Sequence, residues 1–231
     1  MRNPKPKGYI PDKAPLLHGI KKVGDEVYAP VPGRRATTHL SYLGRGRFTT
    51  AFRLVGTRSV VLYTFYEDFS KSILSQAYRE YGKVNVHLPK IKRIGRQQFK
   101  QGVANVYLAH YYKPVTDLDN LSQKNKDMIL RLQELQDTAQ NAFSGDVVRS
   151  GKASLFNFII IRGKGLGYSM KMALEHLAYT SEDWGDHYLF DSFKLPNWGL
   201  DGKNNLILVD PMFDMEKIQR DHDVRIKHKL S

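Results

Sequence analysis

With 231 residues and 41% hydrophobic content, the chain is long enough to bury a proper core and fits either one domain or two small lobes sharing a cleft. It has no cysteine, which excludes disulfides and thiolate zinc sites and makes a reducing cytoplasm the expected compartment. The formal charge of +13 favours polyanionic partners. No apolar run approaches the ~20 residues that span a bilayer, and the opening MRNPKPKGYIPDK lacks the apolar stretch of a signal peptide, so no membrane association is expected.

Residues 1 to 38, rich in Pro, Gly and basic side chains, read as an extension that wraps the body or stays mobile. From Leu43 to Leu54, LGRGRFTTAFRL reads as a hairpin, followed by a turn at Gly56-Thr57 and the strand-like SVVLYTF. Gly44 and Gly46, flanked by Arg45 and Arg47, permit close backbone approach, and Phe48 and Thr49 complete a tip suited to closing over phosphates. A helix is expected over Phe69 to Tyr81, a strand opens in HLPKIKRIG, and VANVYLAHYYKPV supplies another strand and a linker near His110 to Lys113.

Leu121, Met128, Leu132, Leu135 and Ala139 recur at helical spacing, with Asp119 or Ser122 as the N-cap. A second helix is expected over 167 to 179 through Met170, Leu174 and Leu177, and both stripes read as core. Between them, FNFIIIRGKGLGYS is an apolar run entering a glycine-rich turn. The spacing of Gly163, Gly165 and Gly167 fits neither G-x-G-x-x-G nor G-x-x-x-x-G-K-[ST], which leaves a tight basic turn. The eight histidines form no metal-binding motif, and His87 and His187 read as satisfied structural residues.

The segment FDSFKLPNWGLDGKNNLILVDP carries the most chemistry. Magnesium takes oxygen ligands and draws one or two from protein, leaving the rest to phosphates and water, so the amide carbonyl of Asn197 and the carboxylate of Asp210 form a suitable pair. The turn signal Asp201-Gly202 followed by the apolar run Leu206 to Val209 predicts a hairpin that brings the two together. Upstream, Asp191 can accept the proton of an attacking hydroxyl and Lys194 can neutralise a transferring phosphoryl group.

These residues resemble the D-x-K-x-x-N loop of the protein-kinase-like superfamily, with Asp210 opening the D-P variant of the D-F-G motif about a dozen residues later. Asp191 lies one residue further upstream than the pattern has it, and Phe190 replaces the usual Arg. Gly44, Gly46 and Phe48 resemble the family's glycine-rich loop, with Thr49 at the third glycine. The resemblance implies an α+β, two-lobed fold: a small antiparallel β N-lobe over 39–112, whose last segment would contact an adenine, and a reduced, mainly helical C-lobe over 113–231 with a basic tail. It also implies ATP and Mg2+ as cofactors.

The lysine that kinases carry on the third strand is absent: Leu62 stands in its place, and Glu80 is its candidate ion-pair partner. Either the chain binds nucleotide without turning it over, or another cation has taken the role, with Arg45, Arg47, Arg53, Arg58 and Lys71 as candidates. Only about twenty residues follow Asp210, with no A-P-E motif or peptide-docking helices visible.

This compressed layout is most similar to the small serine/threonine kinases encoded by some bacteriophages, and secondarily to antibiotic phosphotransferases. The former implies modification of host proteins, including transcription or translation machinery, in the host cytoplasm. Two alternatives stay open: a pseudokinase acting as a binding or inhibitory module, and a nucleic-acid-binding protein using the basic runs RNPKPK, RIKHKL and PKIKRIGRQQFK. The last of these runs also reads as a strand with its polar face in water.

Overall fold

The computed structural model describes residues 13–34, 37–65, 69–100, 102–142, 159–184, 188–190 and 194–214. They form an α+β arrangement that divides into two compact units. The first takes in residues up to Asp68 together with Arg93–Leu108, and the second takes in Phe69–Lys92 with Ala109–Phe213.

The first unit is built on a six-stranded sheet. Its strands are β1 (Glu26–Pro30), β2 (Thr37–Arg45), β3 (Thr49–Leu54), β4 (Ser59–Thr64), β5 (Ile91–Phe99) and β6 (Gly102–His110), in the order β1-β2-β3-β4-β6-β5. From β1 to β4 each strand pairs antiparallel with the next. Alternation along β3 turns Thr50, Phe52 and Leu54 inward, and β4 adds Val61 and Tyr63, so the period-2 pattern creates one apolar face. Phe52 meets Tyr63 edge-on at 5.8 Å between ring centroids, and Tyr63 meets Phe99 at 5.1 Å. The buried Tyr63 hydroxyl donates to the Pro30 carbonyl at 2.9 Å, and desolvation holds its pKa well above that of a free tyrosine.

Much of the expected N-terminal extension belongs to this core. Ala14, Leu17 and Ile20 are buried in the same cluster as Phe52 and Tyr63, and β1 pairs with β2 at the edge of the sheet. The Ala14 amide donates to the Gly46 carbonyl at 2.8 Å, Arg45 donates to the Ala14 carbonyl at 3.0 Å, and the Thr50 hydroxyl donates to the Pro15 carbonyl at 2.8 Å. The basic run around Lys92 forms β5 at the other edge, with Lys92, Arg93 and Arg96 in solvent and Arg93 donating to Asn105 at 2.9 Å.

In the second unit, α1 (Ser70–Tyr81) packs on α3 (Tyr168–Glu182). Ile73, Leu74 and Ala77 of α1 and Met170, Ala173, Leu174 and Leu177 of α3 are buried, and the Tyr81 and His176 rings stack at 3.7 Å. The helix α2 (Gln123–Ala142) buries Met128, Ile129, Leu132 and Leu135. It starts at Ser122, whose carbonyl accepts from Lys126, while Asp119 sits in the preceding 3-10 turn and pairs with Lys126 at 2.6 Å.

The glycine-rich turn ahead of α3 closes through Leu166 N–H to the Gly163 carbonyl, with Gly165 at φ 96°, where only glycine is unstrained. Residues 159–162, at the end of the apolar run, form a helical turn. A three-stranded sheet, β10-β9-β7, combines β7 (Lys113–Pro114), β9 (Trp198–Leu200) and β10 (Leu206–Leu208). A separate pair joins β8 (Tyr188–Phe190) to β11 (Met212–Asp214). Among the described residues no helix is long and apolar enough to cross a membrane.

Candidate functional site

The β9–β10 hairpin is held by its turn. The Asp201 carboxylate accepts from the backbone N–H groups of Lys203 and Asn205, both at 2.8 Å, and from the Asn205 amide at 2.9 Å. Partial burial pushes its pKa upward, but these hydrogen bonds outweigh that and hold the carboxyl below its ordinary range. Asn204 takes the left-handed conformation at φ 64°, which Asn tolerates better than most residues.

Both strands are fixed from outside the hairpin. On the β9 side Gly199 lets the backbone pass against Tyr112: a Cβ there would lie 2.6 Å from Tyr112 Cβ and 2.9 Å from Val209 Cγ2. The Tyr112 hydroxyl accepts from the Lys90 amide at 2.8 Å, and burial pushes its pKa up to about 12. Beside β10, His87 donates through Nδ1–H to the Leu206 carbonyl at 2.6 Å and accepts the Leu208 N–H on its own carbonyl at 2.9 Å. His87 is therefore a satisfied structural histidine, and desolvation lowers its pKa.

The hairpin brings Asn197 beside Asp210. The Asn197 main-chain carbonyl accepts the N–H groups of Val209 at 2.9 Å and Asp210 at 3.2 Å. Asn197 also ends a short 3-10 turn, Leu195–Asn197, donating its own N–H to the carbonyl of the exposed Lys194 at 2.9 Å. The main chains at the two expected ligand positions are thus tied together at one junction.

The Asp210 carboxylate forms an ion pair with Lys71, from the first turn of α1. The Lys71 side chain is only 6% exposed, whereas that of Asp210 is 49% exposed. An ionised carboxylate offers about four acceptor positions, so a bond to Lys71 on Oδ1 leaves capacity for a metal.

The donor set suits magnesium bound together with a phosphate ligand. One carboxylate and one amide are hard oxygen ligands, and among the described residues no cluster of three or more His, Cys, Asp or Glu builds an all-protein cage. Further ligands would come from phosphate and water, as magnesium favours.

Glu80 lies in α1 near its C-terminus, paired with Arg79 at 3.1 Å. Asp191 is outside the described residues. The glycine-rich tip belongs to the first unit. There the β2–β3 register shifts between Tyr42 and Gly44, Gly46 N–H donates to the Thr49 carbonyl at 2.9 Å, and Phe65 N–H donates to the Phe48 carbonyl at 2.8 Å. The Thr49 hydroxyl bonds that of Thr64 at 3.0 Å, and the Arg47 guanidinium lies 5.7 Å from the Phe48 ring centroid. Leu62 pairs with Ala51 across β3 and β4.

Sequence reading named Lys71 only as one of five cations. A sharper signal was present in SKSILSQA, where a lysine stands in the first turn of a helix two residues before its core-facing Ile73 and Leu74. Neither a protein-family model nor a curated protein sequence matches the chain.

Proposed function

We propose that the chain is an ATP- and magnesium-dependent phosphotransferase of two-lobed, protein-kinase-like build that modifies Ser/Thr hydroxyls of proteins, like the compact phage kinases it resembles. The observation that carries this reading is that Asn197 and Asp210 are neighbours, joined through the Asn197 main-chain carbonyl, with the buried cation Lys71 paired to the Asp210 carboxylate. The element order of three strands, a helix and two further strands from Thr37 to His110 also agrees with the resemblance.

In this reading Asn197 and Asp210 would hold a magnesium ion, which would neutralise phosphoryl charge when bound. Asp191 takes the proton of the substrate hydroxyl as its oxygen bonds to the γ-phosphorus. The bond from that phosphorus to the β–γ bridging oxygen breaks, and ADP leaves. Lys194 offsets charge on the phosphoryl group in flight. By the resemblance, Gly44, Arg45, Gly46, Arg47, Phe48 and Thr49 would supply the nucleotide-covering turn. The protein targets would be host proteins, with transcription or translation machinery as the class the resemblance implies.

Leu62 favours a second reading, a binding module that holds nucleotide without transferring phosphate, because charge clamps on phosphoryl groups are worth on the order of 10³ to 10⁵ in rate. Transfer of the labelled γ-phosphate of ATP to a generic basic protein substrate, followed by phosphoamino-acid analysis, separates the two. The kinase reading expects phosphoserine or phosphothreonine, with Asp191→Asn slowing transfer about 10²–10⁴-fold. Transfer that is unchanged in both Asp191→Asn and Asp210→Asn would overturn it, and magnesium-dependent binding without transfer would establish the module.

A further inference from the structure

We infer that Lys71 is the cation that grips the nucleotide's phosphates in this protein, supplied from the first turn of a helix instead of from the strand position occupied by Leu62. The inference rests on the phosphotransferase reading and names the residue that completes its site. Lys71 is the first cationic residue after Leu62.

Stability alone does not account for a lysine here. The ammonium is removed from water, and an ion pair repays that cost only when its geometry and surroundings are favourable. Its partner Asp210 is half in solvent, which screens the attraction. The first turn of α1 carries no acidic residue, so a cation there also opposes the helix dipole. A methionine of similar length would fill the same space without these penalties. What a lysine adds is a compact charge with three N–H donors, delivered to the carboxylate that is the candidate metal ligand.

The pairing has a chemical consequence. Lys71 and a divalent cation compete for the charge of Asp210. A polyphosphate relieves that competition, because its non-bridging oxygens accept from Lys71 while Asp210 turns to the metal. Metal and polyphosphate therefore bind with positive coupling, and Lys71 produces it: it weakens binding of the bare metal and strengthens binding of the metal–nucleotide complex. A lysine present only as a partner of Asp210 would also weaken bare-metal binding, but its loss would leave binding of the metal–nucleotide complex unweakened.

The test uses the full chain and its Lys71→Met and Lys71→Arg variants, checked for intact folding by thermal melting. Mn2+ alone is titrated by electron paramagnetic resonance, and ATP with saturating magnesium by calorimetry. The expected result is opposite signs in Lys71→Met: Mn2+ bound several-fold more tightly and ATP at least about tenfold more weakly, with Lys71→Arg retaining part of the ATP affinity. Should Lys71→Met melt far below the parent, Lys71→Arg carries the same comparison, with both shifts smaller and still opposite in sign. If ATP affinity in the variants equals that of the parent while Asp210→Asn loses it, the assignment of Lys71 is overturned and the nucleotide site stands. If the parent does not bind ATP with magnesium, the underlying reading falls and the inference falls with it.

Discussion

Lys71 and Asp210, 139 residues apart in sequence, close an ion pair whose two members differ sharply in exposure: the lysine side chain is 6% exposed and the aspartate side chain 49%. Removing one partner is therefore not equivalent to removing the other. Asp210→Ala leaves a buried ammonium without its carboxylate, a change expected to cost about 1–3 kcal/mol. Lys71→Met leaves a carboxylate that water can solvate and is expected to cost about 1 kcal/mol or less. Urea unfolding should rank the parent and Lys71→Met close together with Asp210→Ala well below, and the double variant should recover most of the loss. Equal destabilisation by the two single changes would contradict the burial asymmetry.

Gly199 and Gly46 make opposite predictions for the same substitution. A Cβ at Gly199 meets Tyr112 at 2.6 Å and Val209 at 2.9 Å, between elements that have little room to yield, so Gly199→Ala is expected to cost about 1–3 kcal/mol. Under the proposed function it should also weaken magnesium-dependent nucleotide binding, because Val209 leads directly into Asp210. At Gly46 a Cβ meets nothing within 4 Å, and Gly46→Ala should change stability by no more than about 0.5 kcal/mol. Denaturation midpoints of the two variants check this directly.

His87 makes stability depend on pH. Burial is the main cause holding its pKa below the ordinary value of 6.5, with Lys124 acting in the same direction and the Leu206 carbonyl and Asp201 opposing. His176, stacked on Tyr81, is shifted downward by burial as well. The unfolded chain thus binds protons at a pH where the folded one does not. The contribution of neutral His87 is fully present above the unfolded value and is lost as the pH falls from there toward the folded pKa. Urea midpoints should decline between about pH 7.5 and about pH 5, and His87→Asn, which keeps a side-chain donor, should flatten the decline. A midpoint that stays level through this range in the parent would count against the desolvated histidine.

Local signals made much of this arrangement legible. Asp201-Gly202 between apolar runs marked the hairpin that joins Asn197 to Asp210, and the stripes through Met128 and Met170 marked α2 and α3. The buried segment around Ala14 was hidden because Pro15 and Gly19 dilute the apolar pattern of KAPLLHGI, so its docking on Gly46 and Thr50 shows only in three dimensions. The helical turn at 159–162 followed an apolar run too short for periodicity to separate strand from helix. Choosing Lys71 from five cations required knowing that the start of α1 meets the end of β10, a long-range relation that no local pattern encodes.

The proposed function requires Asn197 and Asp210 to form a magnesium-dependent nucleotide site. Calorimetric titration of the purified protein with ATP, with and without magnesium, tests it most directly when repeated on Asp210→Asn, which keeps the size of the side chain and an acceptor for Lys71. Binding that requires magnesium in the parent and is lost in the variant is the predicted result. Binding that is indifferent to magnesium, or equally strong in Asp210→Asn, would contradict it.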